Sequence, residues 1–321
     1  MEPIQKLERL LIIALSHKAT DIHIKQVDKN ITFKLRSIDR FIDVEETEYD
    51  IELFNYLQYI ANLDLADYNM PQTGSFQFTV NNRRLFLRLA VLRTFDQVSS
   101  VLRILYQKVI NDKISLFIEQ ERMINKKLRS NEGLILISGP TGSGKTTTAY
   151  SLLQKLASRR VYTIEDPIEM FFSNIIQIQV NKRQGLDYQT GIKQLLRHDP
   201  DVIFIGEIRD EHEAQMAIRS ALTGHLVIAT IHAKDCAGAI LRIQDLNVNM
   251  FDFYQSTSMI INQRLLPRLY KRERIVLYEI MDEKDLEYYK NTNEIPKDFK
   301  TLEHYRKKAI KNKLISSKTP L

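Results

Sequence analysis

In the first third of the chain the apolar positions change period several times. From Ile4 to His17 they fall at Ile4, Leu7, Leu11, Ala14 and Leu15, the spacing of one helix face, and a Thr-Asp pair ends the run. Ile22 and Ile24, then Ile31, Phe33 and Leu35, alternate with polar residues and predict paired strands. Ile51 to Leu63 returns to a helical pattern. Pro71 and Gly74 mark a turn, after which Phe76, Phe78 and Val80, then Leu85, Leu87 and Leu89, resume a strand-like alternation. Asn81-Asn82 suits a hairpin tip between those runs, and Val101 to Leu105 adds a last strand. Residues 1–106 therefore read as an α+β domain.

Apolar density falls across 107–115, which predicts a hinge. Leu116 to Leu128 is helical in pattern and leads into a region where short apolar strands alternate with helices. The predicted strands are Leu134 to Ile137, Val161 to Ile164, Val202 to Ile205 and Leu226 to Thr230. The predicted helices are Lys145 to Leu156, Gly191 to Arg197, Glu211 to Leu222 and Ala237 to Leu246. Strands that are apolar throughout and separated by helices belong to a parallel sheet covered on both faces, so 116–281 reads as an α/β domain. Beyond 282 the sequence turns polar, and from Arg306 onward it has six basic residues and no acidic one. That composition predicts a basic, frayed tail over 282–321 rather than a core element.

With 321 residues, 44% hydrophobic and 27% charged, the chain is globular in composition and has room for two cores. The 46 Lys and Arg against 40 Asp and Glu leave +6, a mild excess that selects neither nucleic acid nor an anionic surface. The single cysteine, Cys236, excludes an internal disulfide framework and a cysteine-cluster zinc site. The longest apolar run near the start, Leu10 to Leu15, is six residues flanked by charges, too short for a signal peptide. No stretch approaches the roughly 20 residues of a membrane helix. The expectation is a soluble, cytoplasmic protein.

Gly139-Pro140-Thr141-Gly142-Ser143-Gly144-Lys145-Thr146 fits GxxxxGK[ST] and stands where that pattern acts, after an apolar strand and before a helix. The glycines let backbone N–H groups converge on phosphate oxygens, and the helix adds its positive N-terminal end. Lys145 would neutralise β- and γ-phosphate charge, the Thr146 hydroxyl would hold Mg²⁺, and Thr147 completes the binding segment. The segment predicts a nucleotide triphosphate site with Mg²⁺, and the cysteine count predicts no zinc.

Two strand ends deliver carboxylates toward this loop. Val202 to Ile205 is followed by Gly206-Glu207, so Glu207 either polarises the attacking water or assists the metal, partly through water. Val161 to Ile164 ends in Glu165-Asp166-Pro167-Ile168-Glu169, and three carboxylates at one strand end are costly to gather without a cation. Glu165 and Asp166 are candidates for coordinating metal-bound water and positioning the catalytic one, with Glu169 beside them. His225 and His232 flank a strand of roughly 17 Å or more, at about 3.3 Å per residue, and cannot share a metal. His232, at the C-terminal end, is a candidate γ-phosphate sensor, whereas His225 suits a structural or interfacial role.

Taken in order, these motifs resemble the secretion ATPases of the type II/type IV pilus superfamily. The likeness rests on GPTGSGKTTT from Gly139, TIEDPIE from Thr163, DPDVIFIGEIRD from Asp199 and ALTGHLVIATIHA from Ala221. These match that family's Walker A motif, Asp box, Walker B motif and His box. The likeness extends through TDIHI from Thr20, PQTGSF from Pro71 and the spaced arginines of FLRLAVLR and VLRIL, covering residues 15–270 in all. It implies a RecA-like P-loop ATPase domain preceded by a smaller, PAS-like α+β domain. It also implies a hexameric ring at the cytoplasmic face of the membrane, acting on an inner-membrane platform protein.

The same resemblance implies that Arg88 and Arg103 reach the nucleotide and stabilise charge on the γ-phosphoryl oxygens, with Arg83, Arg84 and Arg93 as neighbours. Ordinary strand-face ion pairs are the competing role. Arg209 would orient Glu207 or make a subunit contact. Larger relatives carry a long N-terminal domain and a four-cysteine zinc insert after the segment matching Gln263 to Tyr270, which this sequence lacks. In this compact form it is most similar to the competence-pilus ATPases that power a DNA-uptake pseudopilus. Retraction ATPases are also short, so the direction of work stays open. A nucleic-acid motor shares the P-loop pattern, but the basic residues are dispersed outside the tail, and no direct sequence-specific nucleic-acid binding is expected. A scaffold that binds ATP without turnover is disfavoured by the intact Glu207.

Overall fold

A computed structural model of the chain describes all residues except 29, 38–39, 45–48, 67–69, 106–112, 182–184 and 271–272. The chain divides into two compact units, Met1–Lys108 and Val109–Leu321. Most of the hinge expected over 107–115, namely 107–112, lies outside the described residues.

The first unit runs α1 (Pro3–Ser16), β1 (Asp21–Val27), β2 (Asn30–Arg36), β3 (Phe41–Val44), α2 (Ile51–Ile60), β4 (Gln72–Val80), β5 (Arg83–Arg93) and β6 (Val98–Leu105). Its strands form a six-stranded antiparallel sheet in the order β3-β2-β1-β6-β5-β4. Alternation sends Ile22, Ile24, Phe33, Leu35, Leu87, Leu89 and Leu102 into one core, where Leu7, Leu10 and Leu11 of α1 and Leu53, Phe54 and Leu57 of α2 meet them. Asn81 and Asn82 take positive φ, 48° and 59°, and join Val80 directly opposite Arg83. That is the tight hairpin which the Asn-Asn pair predicts.

The second unit runs α3 (Ile118–Leu128), β7 (Gly133–Ser138), α4 (Lys145–Lys155), β8 (Val161–Glu165), β9 (Ile176–Gln179), α5 (Tyr188–Leu195), β10 (Val202–Ile205) and α6 (Glu211–Leu222). It continues with β11 (Leu226–Ile231), α7 (Cys236–Asp245), α8 (Met250–Ser256), β12 (Thr257–Pro267), β13 (Arg274–Asp282), α9 (Glu283–Thr292) and α10 (Leu302–Lys311). The seven strands are ordered β13-β12-β7-β11-β10-β8-β9, parallel from β12 to β9, with β13 antiparallel at the edge. The alternation of β7 shows how both faces are used. Leu134 and Leu136 join a core with Ile192, Ala217, Ile240 and Phe253 from α5 to α8, whereas Ile135 and Ile137 join a core with Ile124 and Leu152 from α3 and α4.

The segment 282–321 is not the frayed tail that its composition predicts. α9 buries Leu286 and Tyr289, and α10 buries Leu302, Tyr305 and Ala309 together with Phe117, Leu266, Ile275 and Leu277. The apolar residues of α10 recur at helical spacing among lysines, so net composition conceals an amphipathic helix. Buried Glu279 accepts hydrogen bonds from Leu302 N at 3.0 Å and Cys236 N at 2.9 Å, so one carboxylate caps the first turns of both α7 and α10.

Candidate nucleotide site

Strands β7, β8, β10 and β11 are parallel, so their C-terminal ends lie on one side of the sheet, where ligands of open α/β folds bind. A cleft of ≈ 440 Å³ at those ends is lined by Thr141, Gly142, Gly144, Lys145, Thr146 and Thr147 of the phosphate loop and by Asp166, Glu169, Glu207, Arg209 and His232. The loop's curl depends on Gly139. Its φ is 150°, and a Cβ there would come within 2.6 Å of Ser143 Oγ and 2.7 Å of Gln263 O. Gly144, at φ 87°, is the N-cap of α4, so the positive end of that helix opens at Lys145.

Lys145 is buried, and its Nζ donates to Gly139 O at 3.0 Å and Pro140 O at 3.3 Å. Burial pushes its pKa down, against the opposing pull of the Glu207 and Glu169 charges. From this ammonium a chain of polar contacts crosses the cleft. Nζ lies 3.4 Å from each ring nitrogen of His232, and His232 Nε2 lies 2.7 Å from Glu207 Oε1. Arg209 Nε donates to Glu207 Oε2 at 2.8 Å, and its Nη1 to Asp166 Oδ2 at 3.4 Å. Arg209 thus holds Glu207, one of the two roles open to it on sequence grounds. The turn bearing Glu207 is fixed to β11, because Thr230 Oγ1 donates to Gly206 O at 2.6 Å and Ile208 N to Thr230 O at 2.8 Å.

Glu165 and Asp166 part company. Asp166 meets Arg209, but Glu165 is 2% exposed and takes hydrogen bonds from Tyr150 Oη, from Thr163 Oγ1 at 2.6 Å and from Gln177 Nε2 at 3.3 Å. Burial raises its pKa to about 7. It borders the floor of the cleft with its carboxyl group engaged by core side chains. Asp199 and Asp201, at the opposite end of β10, bind Arg160. His225 Nδ1 lies 3.1 Å from Ser220 O, beyond the other end of β11 from His232.

Arg88 and Arg103 belong to the first unit, directly across from one another on β5 and β6. Arg103 Nε donates to buried Asp21 at 2.6 Å. Burial pushes the Asp21 carboxyl up, and the hydrogen bonds from Arg103 and Thr20 outweigh it and hold it below the ordinary range. The sequence reading misses Asn262 and Gln263 of β12, of which Gln263 reaches the phosphate loop at Ser143 O and Asn262 reaches Ser138 at the end of β7. The available signal was a run of polar residues, Asn262-Gln263-Arg264, inside an apolar strand, where burial without partners is costly.

The sequence profile of the type II/IV secretion system protein family matches residues 2–311. Competence protein ComGA of Bacillus subtilis (strain 168) is 37% identical over 275 residues, 83% of this chain and 77% of that protein. Type II secretion system protein E of Klebsiella pneumoniae is 35% identical over 273 residues, and there the match covers 83% of this chain but only 55% of the relative's length. Among solved structures, the pilus retraction motor PilT with bound ADP has a TM-score of 0.75 at 25% identity, covering 99% of this chain and 95% of that one. The chain belongs to the type II/IV secretion system protein family, and its second unit has the RecA-like P-loop ATPase fold. Among the described residues no helix is long and apolar enough to cross a membrane.

Proposed function

We propose that this member of the type II/IV secretion system protein family is the ATP-hydrolysing motor of a type IV-pilus-like machine, driving competence pseudopilus assembly for DNA uptake. The family makes the chain an ATPase that works on a nucleotide with a divalent metal. The finer reading is ATP with Mg²⁺ and no structural zinc. One observation carries it: the unbroken line of contacts from Lys145 through His232 and Glu207 to Arg209 and Asp166, beside the phosphate loop.

The residues present fit a magnesium triphosphate. The Lys145 ammonium is buried and hydrogen-bonds neutral carbonyls, so an anion there would relieve its desolvation. Thr146 and Glu207 offer the oxygen donors that Mg²⁺ prefers, Glu207 in part through water. Mg²⁺, when bound, draws charge from the phosphate oxygens. The loop from Gly139 to Thr147 receives the phosphates through the backbone N–H groups of its residues other than Pro140, and Lys145 exchanges its carbonyl partners for phosphate oxygens. Glu207 accepts the proton of the attacking water, and Arg209 and His232, one on each oxygen, fix the direction in which it does so. His232 also touches Lys145, so it can report phosphate occupancy to the base. Asp166 steadies Arg209, and Glu165 supports the strand end beneath it. Arg88 and Arg103 add positive charge to turnover.

The working form in this reading is a hexameric ring in the cytoplasm, held at the membrane by a platform protein and without sequence-specific nucleic-acid contacts of its own. Identity of 37% with a competence protein supports a role in competence, and the likeness to a retraction motor supports a second reading, retraction. The test is deletion of the gene, complemented by wild type or by Lys145→Ala. The expected result is loss of DNA uptake and of surface filaments, restored by wild type alone. Excess filaments after deletion favour retraction, and unchanged uptake and filaments overturn the motor.

A further inference from the structure

We propose that Gln263 is a positioning residue for the phosphate loop, an amide that grips the loop from the neighbouring strand and keeps it curled to receive phosphates. This rests on the nucleotide-site reading above. A phosphate loop works by turning its N–H groups inward, which forces its carbonyls outward to find donors elsewhere. Two of those carbonyls, on Gly139 and Pro140, are held by Lys145, which phosphate would draw away. Ser143 O is held differently. Gln263 Nε2 donates to it at 2.5 Å, and Gln263 is fully buried on β12. This grip comes from outside the loop and does not compete with a ligand.

The backbone of β12 presses on the same loop, since the space beside Gly139 is closed by Gln263 O. The residues on either side extend the hold. Asn262 Nδ2 donates to Ser138 Oγ at 2.8 Å and to Ala233 O at 3.3 Å. Arg264 donates to Asn262 Oδ1 at 3.2 Å, to Gln263 O at 3.0 Å and to Lys234 O at 2.6 Å. Three successive residues of β12 therefore brace both the phosphate loop and the segment that follows His232. A strand that served only the sheet would have apolar residues there.

A second feature makes the idea testable. Gln263 Oε1 is buried with no hydrogen-bond partner among the described residues. Gln263→Met keeps the length and approximate volume, removes this unpaired acceptor and deletes only the bond to Ser143 O. The fold should therefore tolerate it, with a melting temperature within a few degrees of wild type. Positioning predicts that KM for ATP and Kd for ADP rise roughly fivefold to tenfold while kcat at saturation changes less than about twofold. Gln263→Glu, equal in length, sets a carboxylate oxygen against the Ser143 carbonyl and should weaken binding further.

The assays use the full chain, with Lys145→Ala alongside. Wild-type KM and ADP affinity in folded Gln263→Met overturn the proposal. So does a lower melting temperature with unchanged kinetics per folded molecule, or failure of both variants to fold, since either makes Gln263 a fold residue. If Lys145→Ala itself binds and hydrolyses normally, it is the nucleotide-site reading that has failed.

Discussion

At the residue scale, the cleft is a set of groups that constrain one another. Glu207 is held on both carboxylate oxygens, by His232 and by Arg209, so its orientation is decided before any substrate arrives. Glu207→Gln keeps the shape and removes the carboxylate that the proposed function uses as base. We expect nucleotide binding to persist while phosphate release falls roughly 10²-fold or more, and retention of more than about a tenth of the wild-type rate would move the base elsewhere. Glu165 calls for a different measurement, because its carboxyl sits among Tyr150, Thr163 and Gln177 and keeps its proton to about pH 7. Its ordinary value is 4.5, so across that window the folded chain binds a proton that the unfolded chain has lost, and stability falls as pH rises. Glu165→Gln should remove that slope, on the order of 3 kcal/mol. Urea midpoints at about pH 5 and about pH 7.5 provide the check, and parallel behaviour of variant and wild type would refute it. The phosphate loop, Glu207 and His232 were legible in sequence because chemistry that needs convergent N–H groups and a strand-end carboxylate imposes a spacing. Glu165 and Gln263 were not, since a side chain's direction depends on which neighbours it meets.

At the element scale, the four inner parallel strands were legible and the flanks were not. Short strands apolar throughout, set between helices, admit few other arrangements. β12 escaped because Asn262, Gln263 and Arg264 interrupt its apolar run, and those residues are polar in order to brace the loops beside them. β13 is apolar on both faces around Tyr278, Ile280 and Met281, a pattern that does not separate strand from helix. α10 was hidden by its lysines. Its packing gives a direct contrast with a solvated tail. Tyr305 is 3% exposed, its ring centroid lies 5.1 Å from that of Phe117, and Lys308 sits over the same Phe117 ring while pairing with Glu119. Tyr305→Ala should cost the second unit about 3 kcal/mol in denaturant unfolding, as large-to-small changes in cores do. A loss under about 0.5 kcal/mol is what a frayed tail would give and would argue that α10 does not hold in solution.

At the scale of the whole molecule, what sequence motifs cannot supply is register, and register gives the first unit's arginines their context. Pairing sets Arg36 opposite Asp21, Asp21 opposite Arg103, and Arg103 opposite Arg88, one row across β2, β1, β6 and β5. Two roles then make different predictions. If the arginines serve turnover, Arg88→Ala and Arg103→Ala should each lower kcat roughly 10³-fold with ADP affinity nearly kept, because the charge acts on the transition state. If they serve only local pairing, kinetics should be unmoved and stability should carry the effect. The structure separates the two variants on stability: Arg103→Ala takes the charged donor from a buried carboxylate, Asp21, leaving it the Thr20 hydroxyl, and should cost about 1–3 kcal/mol. That loss should grow above the ordinary carboxylate pKa and fade as pH falls and Asp21 is protonated, since its folded pKa is depressed. Arg88→Ala leaves the Asp21–Arg103 pair in place and is the cleaner kinetic probe. Equal loss of turnover in both variants, with unequal loss of stability, is the expected result. Wild-type turnover in folded Arg88→Ala and Arg103→Ala would return the whole row to structural duty.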